Sequence, residues 1–261
     1  MAVKIAAPHQ TRDIQHPVTD DDPFRYGWRT VVETGPAGEI IYRDIPLTQA
    51  DFLDPQTGDQ MNQGNKHYHL AISLYHRFYQ YSRQQPTVGV FGDIKMRWGI
   101  PGLKEPAPDL AIIPNLKDKD AHRRSFNVLN EGTRPCLVVE IMSPDYPGDD
   151  TAKVEIYQRA GVAEYIIINP HFEAETMPFE LQGYRLVEGQ YHPIAADAQG
   201  RLLSETTGLW FGLGETGRDI VLTEAATGER LLTVEEEAAA RRAAEAEVAR
   251  LRALLARYDN G

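Results

Sequence analysis

Apolar positions along this chain fall into three patterns. Leu70, Leu74, Phe78 and Tyr81 recur at helical spacing, and Ile72, Tyr75 and Tyr79 widen the stripe. They predict a helix from about Lys66 to Gln84, ended by Pro86. Val90, Ile94, Met96 and Trp98 alternate with other residues and predict a strand over Val88 to Trp98. The third pattern is an unbroken aliphatic run, seen at Leu110-Ala111-Ile112-Ile113, Leu137-Val138-Val139 and Tyr165-Ile166-Ile167-Ile168. Such runs form strands covered on both faces.

The remaining segments fit around these. Tyr26 to Val32 and Glu39 to Ile45 read as a strand pair joined by the turn Gly35-Pro36-Ala37-Gly38. Pro46 to Leu53 reads as a short helix with Thr48 as N-cap. Gly99-Ile100-Pro101-Gly102 turns the chain, and a long polar loop runs from Asn115 to Arg134. A helix from about Asp150 to Ala160, closed by Gly161, links the Leu137 run to the Tyr165 run. Strand, helix and strand within so short a span predict a right-handed crossover onto a parallel partner. Hairpins follow over residues 179–222. Three regions result: an N-terminal arm at 1–24, one domain at 25–232, and a C-terminal helical tail at 233–261. In the tail Val248, Leu251, Leu255 and Tyr258 hold a seven-residue pattern. Two readings are open for it, a solvated helix and a short coiled coil joining two copies into a homodimer.

Composition narrows the class without naming it. Hydrophobic residues make up 42% and charged residues 25%, an ordinary globular balance. No apolar run is long enough to cross a bilayer. The N-terminus carries one lysine and is too weakly apolar for a secretory signal. Cys136 is the only cysteine, which excludes an intrachain disulfide and a cysteine zinc cluster and points to a cytoplasmic setting. The net charge of −11 opposes general nucleic-acid affinity. Its distribution is uneven: residues 61–130 carry +5, while 131–232 carry −10. The basic stretch includes Lys95, Arg97, Lys104, Lys117, Lys119, Arg123 and Arg124, and it surrounds Asp109.

Asp109 and Glu140 are attached to two of the buried runs. A carboxylate there is costly unless it is paired or holds a cation. On adjacent strands the two could converge on one ion, since Mg²⁺ needs few protein oxygens and keeps several waters. The Ile141 carbonyl would complete such a set. Lys153, on the following helix, could orient a bound water or offset charge in a transition state. The competing reading is a buried Glu140–Lys153 ion pair with no chemistry, a poor stabiliser next to apolar packing.

In this order the residues resemble the Uma-type endonucleases, a bacterial branch of the PD-(D/E)XK restriction-endonuclease-like superfamily. The resemblance runs from about Pro23 to Pro170. It is carried by Asp22-Pro23-Phe24-Arg25-Tyr26-Gly27-Trp28-Arg29, Pro101-Gly102-Leu103, and Ala107-Pro108-Asp109-Leu110-Ala111. It continues through Pro135-Cys136-Leu137-Val138-Val139-Glu140, Ile141-Met142-Ser143-Pro144, and Tyr157-Gln158-Arg159-Ala160-Gly161-Val162-Ala163-Glu164-Tyr165.

The resemblance implies an α/β (α+β) fold: a restriction-endonuclease-like core with a central mixed sheet flanked by helices. It implies Mg²⁺ or Mn²⁺ held by Asp109 and Glu140, and DNA as substrate. One departure is visible. The superfamily lysine lies two residues after the acid, where this chain has Met142, and the matching lysine is Lys153. His67, at the start of the long helix, and Asp93, before the first motif, are secondary candidates from the same resemblance. For Asp93 a salt bridge with Lys95 or Arg97 is the alternative. The expected activity is metal-dependent hydrolysis of DNA phosphodiesters. A non-catalytic dimeric DNA- or protein-binding module on the same fold is the alternative.

Overall fold

The protein is described from a computed structural model, over residues 22–61, 64–143, 149–172, 174 and 176–258. The first 21 residues of the N-terminal arm lie outside the described residues. In chain order the elements are β1 (Trp28–Thr34), β2 (Ile40–Pro46), α1 (Gln49–Leu53), β3 (Asp59–Gln60), α2 (Asn65–Ser82), β4 (Gly89–Phe91), β5 (Met96–Arg97), β6 (Leu110–Ile113), β7 (Phe126–Asn127) and α3 (Val128–Glu131). They continue with β8 (Leu137–Ile141), α4 (Asp149–Ala160), β9 (Glu164–Asn169), β10 (Glu180–Val187), β11 (Gln190–Pro193), β12 (Leu202–Ser204), β13 (Leu209–Leu213), β14 (Ile220–Glu224), β15 (Arg230–Leu231) and α5 (Val234–Tyr258).

The three aliphatic runs become β6, β8 and β9, the middle of a six-stranded sheet ordered β11-β10-β9-β8-β6-β4. β8 pairs antiparallel with β6 and parallel with β9, so the sheet is mixed. The parallel pair is the one joined through α4, as the strand–helix–strand spacing predicts. All of β6 and β8 is buried. Alternation splits these side chains between two cores. Leu110, Ile112, Leu137, Val139 and Ile141 pack with Leu74 and Phe78 of α2 on one face. Ala111, Ile113, Val138 and Ile167 pack with Ile156 and Tyr157 of α4 on the other. Each large side chain so covered contributes roughly 1.5–3 kcal/mol relative to exposure. Glu140 shares the α4 face, and that choice of face sets the site.

Smaller sheets flank the centre: β2-β1-β3, β12-β13-β14-β15 and the parallel pair β5-β7. Thr48 caps α1 in a reciprocal box with Asp51. The tail is helical, and α5 starts on a second such box between Thr233 and Glu236. Val248, Leu251 and Leu255 are exposed along it. Among the described residues no helix is long and apolar enough to cross a membrane.

Two expectations are corrected. The alternating run from Val88 to Trp98 is not one strand: β4 joins the central sheet, and β5 leaves it to pair with β7. Between them Asp93 adopts φ 48°, a left-handed conformation that breaks a ladder while leaving Val90, Met96 and Trp98 buried. The loop from Asn115 to Arg134 contains β7 and α3, which are too short to show a period.

α4 ends at Gly161, with φ 74°. A Cβ there would lie 2.3 Å from Nη1 of Arg134, which donates to the Ala160 carbonyl at the helix end. Gly161→Ala is expected to cost about 1–2 kcal/mol through backbone strain and loss of this cap. Chemical denaturation checks the loss, and the α4-borne site should weaken with it.

Candidate active site

The antiparallel pairing of β6 and β8 sets Leu110 opposite Val139, so Asp109 and Glu140 come together at one end of the sheet. The Ile141 amide donates to Oδ2 of Asp109 at 2.8 Å, and the Asp109 amide points at Oε2 of Glu140 at 3.4 Å. Lys153, on the first half of α4, reaches Oε2 of Glu140 at 3.2 Å, and its ammonium lies 4.8 Å from the centre of the Phe52 ring. One turn further along α4 the Tyr157 hydroxyl donates to Oε1 of Glu140 at 2.5 Å. Both Glu140 oxygens are therefore held, each by a side chain from the same helix face.

His67 enters from the first turn of α2. Its Nε2 lies 3.0 Å from the Ile141 carbonyl oxygen and 3.2 Å from Oδ2 of Asp109. A carbonyl only accepts, so Nε2 carries the proton. Nδ1 is buried and has no partner among the described residues. Asp93 lies beside Asp109, its amide donating to the Pro108 carbonyl at 3.0 Å. It forms no salt bridge with Lys95 or Arg97. Lys95 pairs with Asp54 at 2.8 Å, and Arg97 donates to Ser125 at 3.1 Å.

The structure thus brings together all six residues singled out from the sequence: Asp109, Glu140, Ile141 and Lys153, with His67 and Asp93. They line one cavity of about 630 Å³, whose walls also carry Lys95, Arg97 and Arg124. Met142 lines it too, two residues after Glu140. Tyr157 is a partner of Glu140 that the sequence analysis does not single out. Its spacing of four from Lys153 was the available signal that both face one way.

Burial dominates the electrostatics. It pushes the Glu140 carboxyl up to about 7, with Asp109 adding repulsion that Lys153 and Tyr157 only partly offset. Burial also raises Asp109, but the His67 hydrogen bond and charge, with Lys153 and the Ile141 amide, hold it below the ordinary value. For His67, burial is outweighed by Asp109, and the imidazole is raised. Desolvation and the Asp109 charge raise Asp93, which opens onto the cavity.

Three carboxylates thus share one lysine and one histidine, an excess of hard oxygen donors that suits a divalent cation. Among the described residues no three His, Cys, Asp or Glu side chains form a ready-made ion cage. The oxygens that could hold such an ion are those of Asp109, Glu140 and the Ile141 carbonyl.

Two outcomes are expected in metal-free protein. The folded state holds the Glu140 proton more tightly than the unfolded chain does. Its contribution to stability is therefore present below about pH 4.5 and lost as pH rises towards 7. Glu140→Gln removes that loss, and should raise the melting temperature at pH 8 while changing it little at pH 4. Scanning calorimetry across pH checks the sign. Tyr157→Phe leaves one Glu140 oxygen without its donor and should cost about 1.5–3 kcal/mol, read by chemical denaturation.

Comparison with known proteins bears on what such a cavity is. No curated protein matches the sequence. A solved structure from Anabaena variabilis, described as "a putative nuclease belonging to DUF820", aligns over 68% of this chain and 83% of its own, at 15% identity and a TM-score of 0.42. The family model Uma2, described as "Putative restriction endonuclease", matches residues 51–216, more than half of the chain and the whole set from His67 to Lys153. The chain belongs to the Uma2 family.

Proposed function

We propose that the protein is a metal-dependent nuclease that hydrolyses DNA phosphodiester bonds in the cavity where Asp109, Glu140 and Lys153 meet. The observation that carries this reading is the meeting of two nearly buried carboxylates and one lysine in a cavity walled by Lys95, Arg97 and Arg124. Membership in a family described as restriction endonucleases supports it.

Asp109, Glu140 and the Ile141 carbonyl would hold Mg²⁺ or Mn²⁺. Such an ion, when bound, polarises a phosphoryl oxygen and lowers the pKa of a water. The chain's own residues do the rest. Tyr157 fixes Glu140 so that Oε2 stays turned towards Lys153. The Lys153 ammonium orients the attacking water and offsets charge developing at phosphorus. His67 holds Asp109 and the Ile141 carbonyl at a common point and would release those oxygens to a cation. Asp93, whose carboxyl is raised by burial and by the Asp109 charge, stands on the cavity wall, where it can accept or return a proton. Lys95, Arg97 and Arg124 meet strand phosphates, which positions DNA without reading its sequence.

A second reading rests on the exposed apolar stripe of α5. A second copy would pair along Val248, Leu251 and Leu255, giving a homodimeric DNA- or protein-binding module in which the acidic site does no chemistry. Mutation separates the two. In a nuclease, purified protein cleaves DNA with Mg²⁺ or Mn²⁺, and Glu140→Ala lowers the rate by about 10²-fold or more. Lys153→Ala also loses turnover but keeps the cation, whereas Asp109→Ala loses the cation itself in calorimetric titration. Identical residual cleavage in wild type and Glu140→Ala would sink the nuclease reading.

A further inference from the structure

A second cavity, of about 610 Å³, opens on the other side of α2, bounded by the β9–β10 connection, β14 and the start of α5. Its deepest charge is Arg77. Helical spacing sets Arg77 beside Leu74 and Phe78 in the buried stripe of α2, and it is only 3% exposed. Nε donates to the Ser73 carbonyl at 3.2 Å and Nη1 to the Ile220 carbonyl at 2.6 Å. Nη2 donates to no described group. No described carboxylate forms an ion pair with Arg77. Glu236 and Asp219 act on it only through space. Glu236 is already engaged by Arg230 at 2.8 Å and by the Thr233 amide. Burial accordingly pulls the Arg77 guanidinium down to about 10. A buried cation that meets only carbonyls lacks the counter-charge that offsets its desolvation.

The cavity lining holds a second fixed guanidinium. Arg218 donates through Nη1 to the Ala174 and Met177 carbonyls and lies 5.4 Å from the centre of the Phe179 ring. Phe172 meets Phe179 edge to face at 6.5 Å, and both rings line the cavity. Two guanidinium groups and two aromatic rings lining one cavity suit an anion that carries a flat ring.

We propose that this cavity is a nucleotide-binding site, with the phosphate on Arg77 and Arg218 and the base against Phe172, the partly buried ring of the aromatic pair. Guanidinium matches phosphate geometry through paired donors. Bases stack on aromatic faces without regard to sequence. The ligand is either a free mononucleotide or a nucleotide within a single strand, and the proposal does not require the first cavity to be catalytic.

The test is calorimetric titration of the full chain in chelator, so that the first cavity holds no cation. Three probes are used: inorganic phosphate, a deoxynucleoside monophosphate and a short single-stranded oligonucleotide. The monophosphate should bind more tightly than phosphate, and Arg77→Met and Ser73→Phe should each weaken it at least tenfold. Ser73→Phe fills the cavity while keeping the Arg77 clamp, so it separates lost binding from lost folding, which melting curves monitor. Asp109→Ala should leave binding unchanged. Tighter binding of the monophosphate than of the oligonucleotide identifies a free nucleotide as the ligand, and the reverse identifies a strand. The proposal is overturned if no probe binds up to about 10 mM. It is equally overturned if binding survives both cavity variants, or if phosphate binds as tightly as the monophosphate.

Discussion

A carboxylate inside a strand buried on both faces is the constraint around which this protein is arranged. Glu140 is one residue of β8, whose other side chains are all aliphatic. Taking its charge out of water costs several kcal/mol, and a single lysine returns only part of that. An apolar residue in the same place would pack against α4 at least as well. What the structure does instead is divide the two oxygens, one to Tyr157 and one to Lys153. This demands that α4 cross the sheet with its Lys153–Tyr157 face inward. The same face carries Ile156 and Ala160 into the core, so the crossover that completes the parallel β8–β9 pair also delivers both partners of Glu140.

Asp109 is tied in by the sheet rather than by a helix. It sits just before β6, and its carboxylate accepts the Ile141 amide at the end of β8, in effect extending the β6–β8 pairing with a side chain. That bond leaves the Ile141 carbonyl beside His67. Backbone geometry therefore places three oxygen donors and one imidazole at a single sheet end. Stability is given up there: like charges are kept close, and the metal-free site gains by protonation. Sites that bind or react commonly carry this kind of local cost.

How much of this was legible in the sequence depends on how far each signal travels. Leu110–Ile113, Leu137–Val139 and Tyr165–Ile168 are dense local patterns, and each became a central strand. Asp109 and Glu140 stood out because a charge beside such a run needs a partner. Lys153 was weighed from the residues as a partner of Glu140 and matched by the resemblance, and its 3.2 Å contact with Glu140 is what both the ion-pair and the catalytic readings expect. Tyr157 was missed because an aromatic residue on a helix is ordinarily packing, and only the position of α4 reveals its hydroxyl at Glu140. The break at Asp93 was hidden because alternation survives a left-handed residue. Phe52 over Lys153 and Arg77 against Ile220 join segments 101 and 143 positions apart, and no local pattern carries them.

The charge balance limits how any nucleic acid could be held. With a net charge of −11 the surface repels a polyanion at a distance, and affinity must come from a small area. Much of the basic stretch is already committed. Lys95 pairs with Asp54, Arg123 with Glu131, and Lys119 donates to main-chain carbonyls. Arg97 and Arg124 remain exposed at the cavity wall, and Lys95 can exchange its partner for a phosphate. Under the nuclease reading, contact is therefore narrow and centred on the scissile phosphate. The slope of binding against salt should then correspond to two or three phosphates, rather than the many of a protein that coats DNA.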